Sequence, residues 1–562
     1  MNLLGKGNDP KFWSETVRND DLYKFYRDEQ LANWERLCEG ENDIPSLKYS
    51  EFRLYGINGD RTTFQKPYYR RRVQVETAAM LALIYPEEEK YLNYAMDMIF
   101  AICAEYSWCI PAHLPNLLKE VRKKHLDLFA CETAYTLATI YTLLEDRLDP
   151  LIKERIKYEI KTKVVDSFIE RTDWGWATTN KANWAAVCAG SMGCSVMLLF
   201  PELFEQLKPR IAFAMENYLS GFADDGFCAE GTHYWHYGFG FFCAYAEMLR
   251  IFTDGKEDYF KREKVHSIAT FIQKVYLSGL KSVSFSDGGE NCHYHIGLLH
   301  FLKKEYPDVV VYSPEYSYIN DNCGRICWLV TAATWIDRDI YYNPAPDNAV
   351  AEYYGENTQW LIKRTDSYGF AAKAGNNDEP HNQNDVGAFI IAKNGRQLIS
   401  DPGPGVYSQQ YFSKETRYGI LECSSLGHSV PFFGDKIQRY GAQFASSDVQ
   451  FKDGVFSFDM AGAYGDEDIR SVKREFSFTD KVITLHDSFD YTGDAPITER
   501  LIARELPEIG SSEITVGDLK IFFDESVCSV SFKKAETTKG MELYLIDFEL
   551  NDGVREITIK FE

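Results

Sequence analysis

The chain changes its hydrophobic period once, and that change limits the folds open to it. Up to about residue 340, apolar residues recur at helical spacing in "RRRVQVETAAMLALIYP" (70–86), "LDLFACETAYTLATIYTLLED" (126–146) and "KANWAAVCAGSMGCSVMLLF" (181–200). Short Pro, Gly or Asp breaks separate these runs, as helix punctuation requires. Stretches such as 185–200 are apolar around most of their circumference and belong inside a helical domain. No strict repeat is present, so stacked helical hairpins, in a solenoid or a closed toroid, are the expected arrangement. From about Tyr353 the period becomes two: "VFSFDM" (455–460), "REFSF" (474–478) and "ITIKF" (557–561) alternate apolar with polar residues between the turn signals "KNG", "KDG" and "NDG". The sequence therefore predicts a multidomain α + β protein, helical over residues 1–340 and an antiparallel, sandwich-like β-sheet domain over 341–562. The 562 residues exceed what one core usually serves, in keeping with two domains.

Charge narrows the partners. Lys and Arg number 61 against 84 Asp and Glu, and the resulting −23 disfavours nucleic acid and anionic membranes, so an anionic ligand must find a local basic pocket. An aromatic share of 15% fits either a sugar-binding cleft or a large aromatic core. The 13 cysteines contain no CxxC pair, which argues against a zinc ribbon or a thioredoxin motif. Apolar flanks around Cys188 and Cys243 fit a reducing compartment. The opening "MNLLGKGNDPKFW" lacks the apolar core of a leader, and no apolar run is long enough to span a bilayer. A soluble, cytoplasmic protein is expected, or a periplasmic or secreted one if a leader has been removed.

Four polar clusters interrupt the apolar pattern. In "WGWATTNKANWAAVCAG", Asn180, Asn183 and Trp184 precede a buried helix; Asn183 either caps that helix or directs an amide into a cleft. In "DDGFCAEGTHYWHYGFGFF", Glu230, His233, Tyr234 and Tyr237 stand at i, i+3, i+4, i+7 spacing, which would gather a carboxylate, an imidazole and two phenols on one helical face, with His236 beside them. The plain alternative is an aromatic helix end with a solvated edge. The third cluster, "HNQNDVGAFIIAKNGRQLISDPG", sets His381 and Gln383 before a strand that should bury Phe389 and Ile391, and carries Asp401 after it. The fourth, residues 411–438, supplies Arg417 and His428, with Tyr407 and Tyr411 at its edge. The two histidines beside Asp401 are candidates for a metal site, an acid/base pair, or hydrogen-bonded structural residues. Basic contacts for an anionic ligand could come from Arg70, Arg71, Arg72, Lys181 or Arg417, although a charge run such as 70–72 is commonly a solvated face.

No nucleophile elbow, P-loop, dinucleotide fingerprint or HExxH is present. Two mechanisms remain open at this level. Hydrolysis of a sugar bond needs two carboxylates, available among Asp224, Asp225, Glu230, Asp287 and Glu290. Elimination needs a base, an acid and a neutraliser of a uronate carboxylate, which His, Tyr and Asn can supply.

Taken in order, "NKANWAAVCAG", "DGFCAEGTHYWHYG", "HNQNDVGAFIIAKNGRQLISDPG" and "SSLGHSVP" resemble the motifs of heparinase II/III-like polysaccharide lyases, and they span both halves of the chain. The resemblance implies an N-terminal incomplete α/α toroid, a C-terminal antiparallel β-sheet domain, and β-elimination on a uronate-containing glycosaminoglycan or its oligosaccharides. It implies that Asn183 neutralises the uronate carboxylate, that Tyr234 is the acid and for one epimer also the base, and that His381 is the base on the opposite face. Tyr237 is the alternative phenol. Asn180, Trp184, Glu230, His233, His236, Tyr237, Tyr407, Tyr411 and Arg417 are expected to contact substrate. Many relatives read His-x-His-x-Asp where this chain has Gln383 in place of the second His. Gln383, Asp401 and His428 are therefore the expected ligands of a structural divalent metal, zinc or, with the harder amide oxygen, manganese. A homodimer is compatible with this reading. Its rivals are an alginate or other polyuronate lyase, a toroid glycoside hydrolase using Glu230 and Asp287, and a carbohydrate-binding scaffold without turnover.

Overall fold

The structure, a computed structural model, describes residues 2–39, 44–114, 124–179, 181–347 and 349–562. The chain divides into two compact units: Met1–Gly221, His236–His266 and Tyr294–Pro344 form the first, and Phe222–Trp235, Ser267–His293 and Ala345–Glu562 the second. Two short excursions from the helical half, one carrying Tyr234 and the other Asp287, thus belong with the sheets.

The first unit is built from helical hairpins. Thr62–Ile84, Leu128–Leu144, Asn183–Leu199 and Ile326–Trp335 are buried along most or all of their length; the last three are apolar almost all round, whereas Thr62–Ile84 also buries Arg72, Gln74 and Glu76. Glu89–Cys103, Pro150–Ile160 and Phe204–Ser220 instead bury one face each. Local chemistry sets the helix starts: Asp127 accepts from the Ala130 amide at 2.8 Å, and Asp149 accepts from the Leu151 amide at 2.8 Å ahead of Pro150.

The second unit holds two large antiparallel sheets. One runs Cys528–Glu536, Glu542–Leu550, Ile497–Ala503, Arg396–Ile399, Phe389–Lys393, Gly369–Lys373, Trp360–Arg364, Ala351–Gly355, with Phe432–Phe433 added beside Ile497–Ala503. The other runs Ser447–Lys452, Val455–Asp459, Ile469–Phe478, Ile483–Tyr491, Glu556–Phe561, Leu519–Phe522, Glu513–Val516, Glu508–Ile509. Alternate residues of the two sheets meet in one core: Phe389 packs on Phe476 at 5.2 Å and on Phe561 at 5.7 Å, and Ile391 shares the same cluster. Ile390 and Ala392 point to the opposite face and are buried as well. The 267–293 excursion lies on the first sheet, where Phe285 packs on Trp360 at 5.3 Å and Arg364 donates to the Gln273 and Tyr276 carbonyls. That packing brings Asp287 to the sheet.

Among the described residues no helix is long and apolar enough to cross a membrane. Among the same residues no disulfide joins the cysteines.

Candidate active site

In the second unit the third sequence cluster folds back onto the two excursions. His381 has φ +59°, in the left-handed region that His, Asn and Asp enter more readily than other non-glycine residues. Arg417 braces the backbone there. The guanidinium is buried and donates to the carbonyls of Asn382 at 2.8 Å, His381 at 3.3 Å and Tyr411 at 3.0 Å, while its Cζ lies 4.0 Å from the centre of the Tyr411 ring. Gln383 braces the other side through its amide nitrogen, to the Ser286 and Gly403 carbonyls at 3.1 and 2.8 Å.

His381 is thereby held against Asp287. Its Nδ1 is 2.6 Å from Asp287 Oδ2, which also accepts from the Tyr407 hydroxyl, and Asp287 Oδ1 accepts from Tyr411 at 2.7 Å. Tyr407 is in turn hydrogen-bonded to Tyr234 at 3.0 Å, and the Tyr234 ring stacks on His381 at 4.2 Å with 25° between the planes. Asp287 is only 1% exposed. Burial pushes its carboxyl up, but the bonds from His381, Tyr407 and Tyr411 outweigh it and hold the carboxyl below its usual value. For His381 burial acts downward, and the Asp287 bond and charge outweigh it, leaving the imidazole raised from 6.5. The Tyr407 phenol is pushed far up by burial and by the Asp287 charge, so it stays protonated and donating. With Nδ1 held by a carboxylate, Nε2 is the nitrogen that can accept a proton.

This arrangement departs from the helical face expected for residues 230–237. Glu230 lies in a turn ahead of the helix, because Gly231 takes φ +96° and closes on Gly288; a Cβ there would stand 2.5 Å from the Gly288 amide nitrogen. Helix Thr232–Tyr234 then widens into a π-turn over Trp235–Phe239. Tyr234 joins the Asp287 cluster in the second unit, whereas Tyr237 belongs to the first, donates to Glu132 and lies under the Arg325 guanidinium at 4.2 Å. Glu132 is lifted to about 7, mainly by burial. His233 is exposed beside Gly289, and His236 is buried in the first unit with its ring 6.0 Å from Tyr318.

Two expected substrate contacts have other work in this structure. Tyr411 is 0% exposed and serves Asp287, and Arg417 has its donors directed at backbone carbonyls. The 70–72 run is not a solvated face: Arg72 pairs with Glu105 through two bonds of 2.9 and 2.7 Å, and Arg71 joins the same carboxylate at 3.0 Å. Lys181 is exposed. Asn183 is buried at the first position of its helix, with Ala182 at the N-cap, so it is not the capping residue. Gly238 makes room for it: a Cβ there would meet Asn183 Cβ at 3.0 Å and the Tyr218 hydroxyl at 2.8 Å. Trp184 is half-buried with the His113 ring at 4.8 Å. Asn180 lies outside the described residues.

Behind His381, Asp401 and His428 are both buried, with His428 Nδ1 2.7 Å from Asp401 Oδ2, and Asp385 completes the group. Ligand atoms of Asp385, Asp401 and His428 lie within 4.8 Å of one another. Asp385 Oδ1 takes the buried Lys373 ammonium at 2.8 Å, while its Oδ2 is buried without a hydrogen-bond partner. Two carboxylates and an imidazole, one oxygen unsatisfied, fit a divalent cation. Sequence reasoning missed Asp385 as a donor, although it stands two residues after Gln383.

The fold is that of the heparinase II/III-like polysaccharide lyases: helical hairpins of an α/α toroid followed by an antiparallel β-sandwich. The chain is similar to the heparan sulfate lyase of Pedobacter heparinus, with a TM-score of 0.60 and 14% identity over 100% of this chain and 87% of that one. It is similar to a heparinase III, with a TM-score of 0.60 and 14% identity over 99% and 92%. The chondroitin AC lyase of Streptomyces coelicolor, solved in complex with chondroitin sulphate, matches with a TM-score of 0.51 and 10% identity over 96% and 82%. No protein-family model matches the chain, and no curated protein matches it in sequence. At these identities the likeness is one of fold.

Proposed function

We propose that this protein is a lyase that cleaves uronate-containing glycosaminoglycan chains or oligosaccharides, of heparan, chondroitin or hyaluronan type, by β-elimination. The observation that carries the reading is the single buried carboxylate of Asp287, which binds His381, Tyr407 and Tyr411 while Tyr407 binds Tyr234. It supports a base and an acid set side by side without a catalytic carboxylic acid. In the proposed reaction a base removes the proton on C5 of the uronate, the C–H electrons form the C4–C5 double bond, and the C4–O bond breaks. The departing oxygen takes a proton from the Tyr234 hydroxyl. His381 Nε2 is the base for one C5 epimer and the Tyr234 phenolate, re-formed by proton exchange, for the other. Asn183 is assigned to the uronate carboxylate, where its amide offsets charge that develops as C5 is deprotonated.

Hydrolysis is less well supported. A glycosidase carboxyl must carry a proton or activate water, and Asp287 is enclosed, triply hydrogen-bonded and held ionised. Asp385, Asp401 and His428 would hold a divalent ion, zinc or manganese, whose chemistry there is the structural one of neutralising two buried carboxylates. The apolar flanks around Cys188 and Cys243 favour a reducing compartment, and with it oligosaccharides over intact polymer. The reading is tested by incubating the protein with glucuronate- and iduronate-containing oligosaccharides. Elimination gives a product absorbing in the near ultraviolet, hydrolysis gives reducing ends without that band, and a binding scaffold gives neither.

A further inference from the structure

The first unit contains a cavity of about 670 Å³ that no step above uses, within the range of small-ligand sites. Its wall is aromatic: Tyr49, Phe52, Phe64, Phe100 and Tyr106 line it. Three of these rings stand in the open, with Tyr49 75%, Tyr106 64% and Phe100 55% exposed. In a chain whose polar surface is abundant, three large exposed rings around one cavity call for a ligand.

Two further observations say which ligand. A continuous ribbon of rings joins the cavity to the start of the Asn183–Leu199 helix: Trp184 to His113 at 4.8 Å, His113 to Phe129 at 5.7 Å, Phe129 to Tyr68 at 6.2 Å, Tyr68 to Phe64 at 6.1 Å, Phe64 to Phe52 at 5.3 Å. The cavity also runs against the charge of the chain. Arg71 and Arg72 share the one carboxylate of Glu105, and Lys48 pairs with Glu51 at 3.2 Å, so these five groups carry one positive charge in excess while the chain as a whole carries −23. Arg71 commits Nε to the Pro45 carbonyl and Nη1 to Glu105, which leaves Nη2 for a ligand.

We infer that this cavity is a distal saccharide subsite, taking a pyranose ring that bears a carboxylate or sulfate group and lies several sugars along the chain from the uronate assigned to Asn183. The exposed rings cover the apolar C–H face of the sugar, and Arg71 with Lys48 meets its anionic substituent. The rings between Asn183 and the cavity, Phe129, Tyr68 and Phe64, are buried, so they fix the spacing of the two places within the unit rather than offer a surface to the saccharide. The inference rests on the lyase reading for its substrate, and it predicts a preference for longer oligosaccharides.

The test compares kcat/KM on an octasaccharide with that on a tetrasaccharide of the same repeat, for the wild type, Tyr49→Ala, Tyr106→Ala and the control Phe213→Ala. Phe213 is exposed on the Phe204–Ser220 helix and does not line the cavity. The expected result is a wild-type ratio well above one that falls about five-fold in each tyrosine variant, the size of one ring contact, and holds in the control. A wild-type ratio near one, or a ratio unchanged in both tyrosine variants, overturns the inference. If no substrate yields the unsaturated product, the lyase reading fails by itself. Calorimetric titration of the octasaccharide then decides the subsite: weaker binding to Tyr106→Ala than to wild type supports it, and equal or absent binding refutes it. Sedimentation in which Tyr106→Ala dissociates a dimer while saccharide binding is unaltered would make the cavity a contact between copies, and refute it too.

Discussion

Replacing Asp287 by asparagine removes a negative charge and almost no volume from the centre of the site. Three donors now meet the carboxylate: His381 Nδ1 at 2.6 Å, Tyr411 at 2.7 Å, and the Tyr407 hydroxyl. A hydrogen bond to a charged group contributes about 1.5–3 kcal/mol and a neutral one about 0.5–1.5, so each of the three weakens by about 1 kcal/mol. The amide also turns one acceptor position into a donor, which no rotation can match to all three partners. The combined loss is about 3–4 kcal/mol, divided between stability and the transition state. If most of it falls on the barrier, turnover drops on the order of 10²-fold to 10³-fold. A pH signature separates this from simple loosening. The Asp287 bond and charge hold the His381 imidazole above 6.5 against the downward push of burial. His381 must be neutral to accept the C5 proton, so wild-type activity falls as pH drops through this raised value. In Asp287→Asn the upward influence is gone and burial remains, so the acid limb of kcat/KM moves to lower pH while the plateau falls. The assay follows the unsaturated product by absorbance across the pH range, on a substrate for which His381 is the base. Turnover within about three-fold of wild type with an unmoved acid limb refutes the reasoning.

Other expectations follow from the same geometry. Asn183→Ala should lower turnover on the order of 10²-fold with little change in Tm, as for loss of one donor to developing charge; near-normal turnover in a folded variant returns Asn183 to a packing role. Gly231→Ala should cost about 2 kcal/mol or more in denaturant unfolding, because φ is +96° and the Gly288 backbone occupies the Cβ position; a loss below 0.5 kcal/mol, about the noise of surface changes, contradicts that. His381→Ala should spare one uronate epimer relative to the other, whereas Tyr234→Phe should abolish cleavage of both; equal loss on both epimers in His381→Ala ends the division of labour. His428→Ala should lower metal content and thermal stability together, and native protein without stoichiometric metal on elemental analysis removes the ion from the account.

Much of the fold was legible because burial leaves its mark on sequence period. The 185–200 stretch reads as an inner helix and is one, and the alternation through Phe389 and Ile391 reads as a strand facing a core and is one. Of the site residues expected from the resemblance, His381 and Tyr234 are brought together, ring on ring. The site was not legible where backbone geometry decides. Nothing in "CAEGTHYWHY" announces that Gly231 breaks the helical register or that a π-turn sends Tyr234 and Tyr237 to different units. Asp287, in "FSDGG", reads as an ordinary turn aspartate, and its partners lie 94 to 124 residues away, Tyr411 being the farthest at 124. Lys373, in "FAAKAG", reads as the polar end of a strand, yet it is fully buried against Asp385. Arg417 was visible as a basic residue near the site, but the sequence could not show that its donors hold the His381 loop.

The most direct test of the central claim is the fate of solvent oxygen during cleavage. A uronate oligosaccharide is digested to completion in water enriched in heavy oxygen, and the products are weighed by mass spectrometry. β-Elimination forms the new double bond without water, so the account predicts an unsaturated fragment one water lighter than its hydrolytic counterpart, with no solvent oxygen at its cleaved end once exchange at the reducing-end hydroxyl is subtracted by an undigested control. Incorporation of one labelled oxygen per bond cleaved, without the unsaturated fragment, would contradict it and make the Asp287 cluster part of a hydrolase.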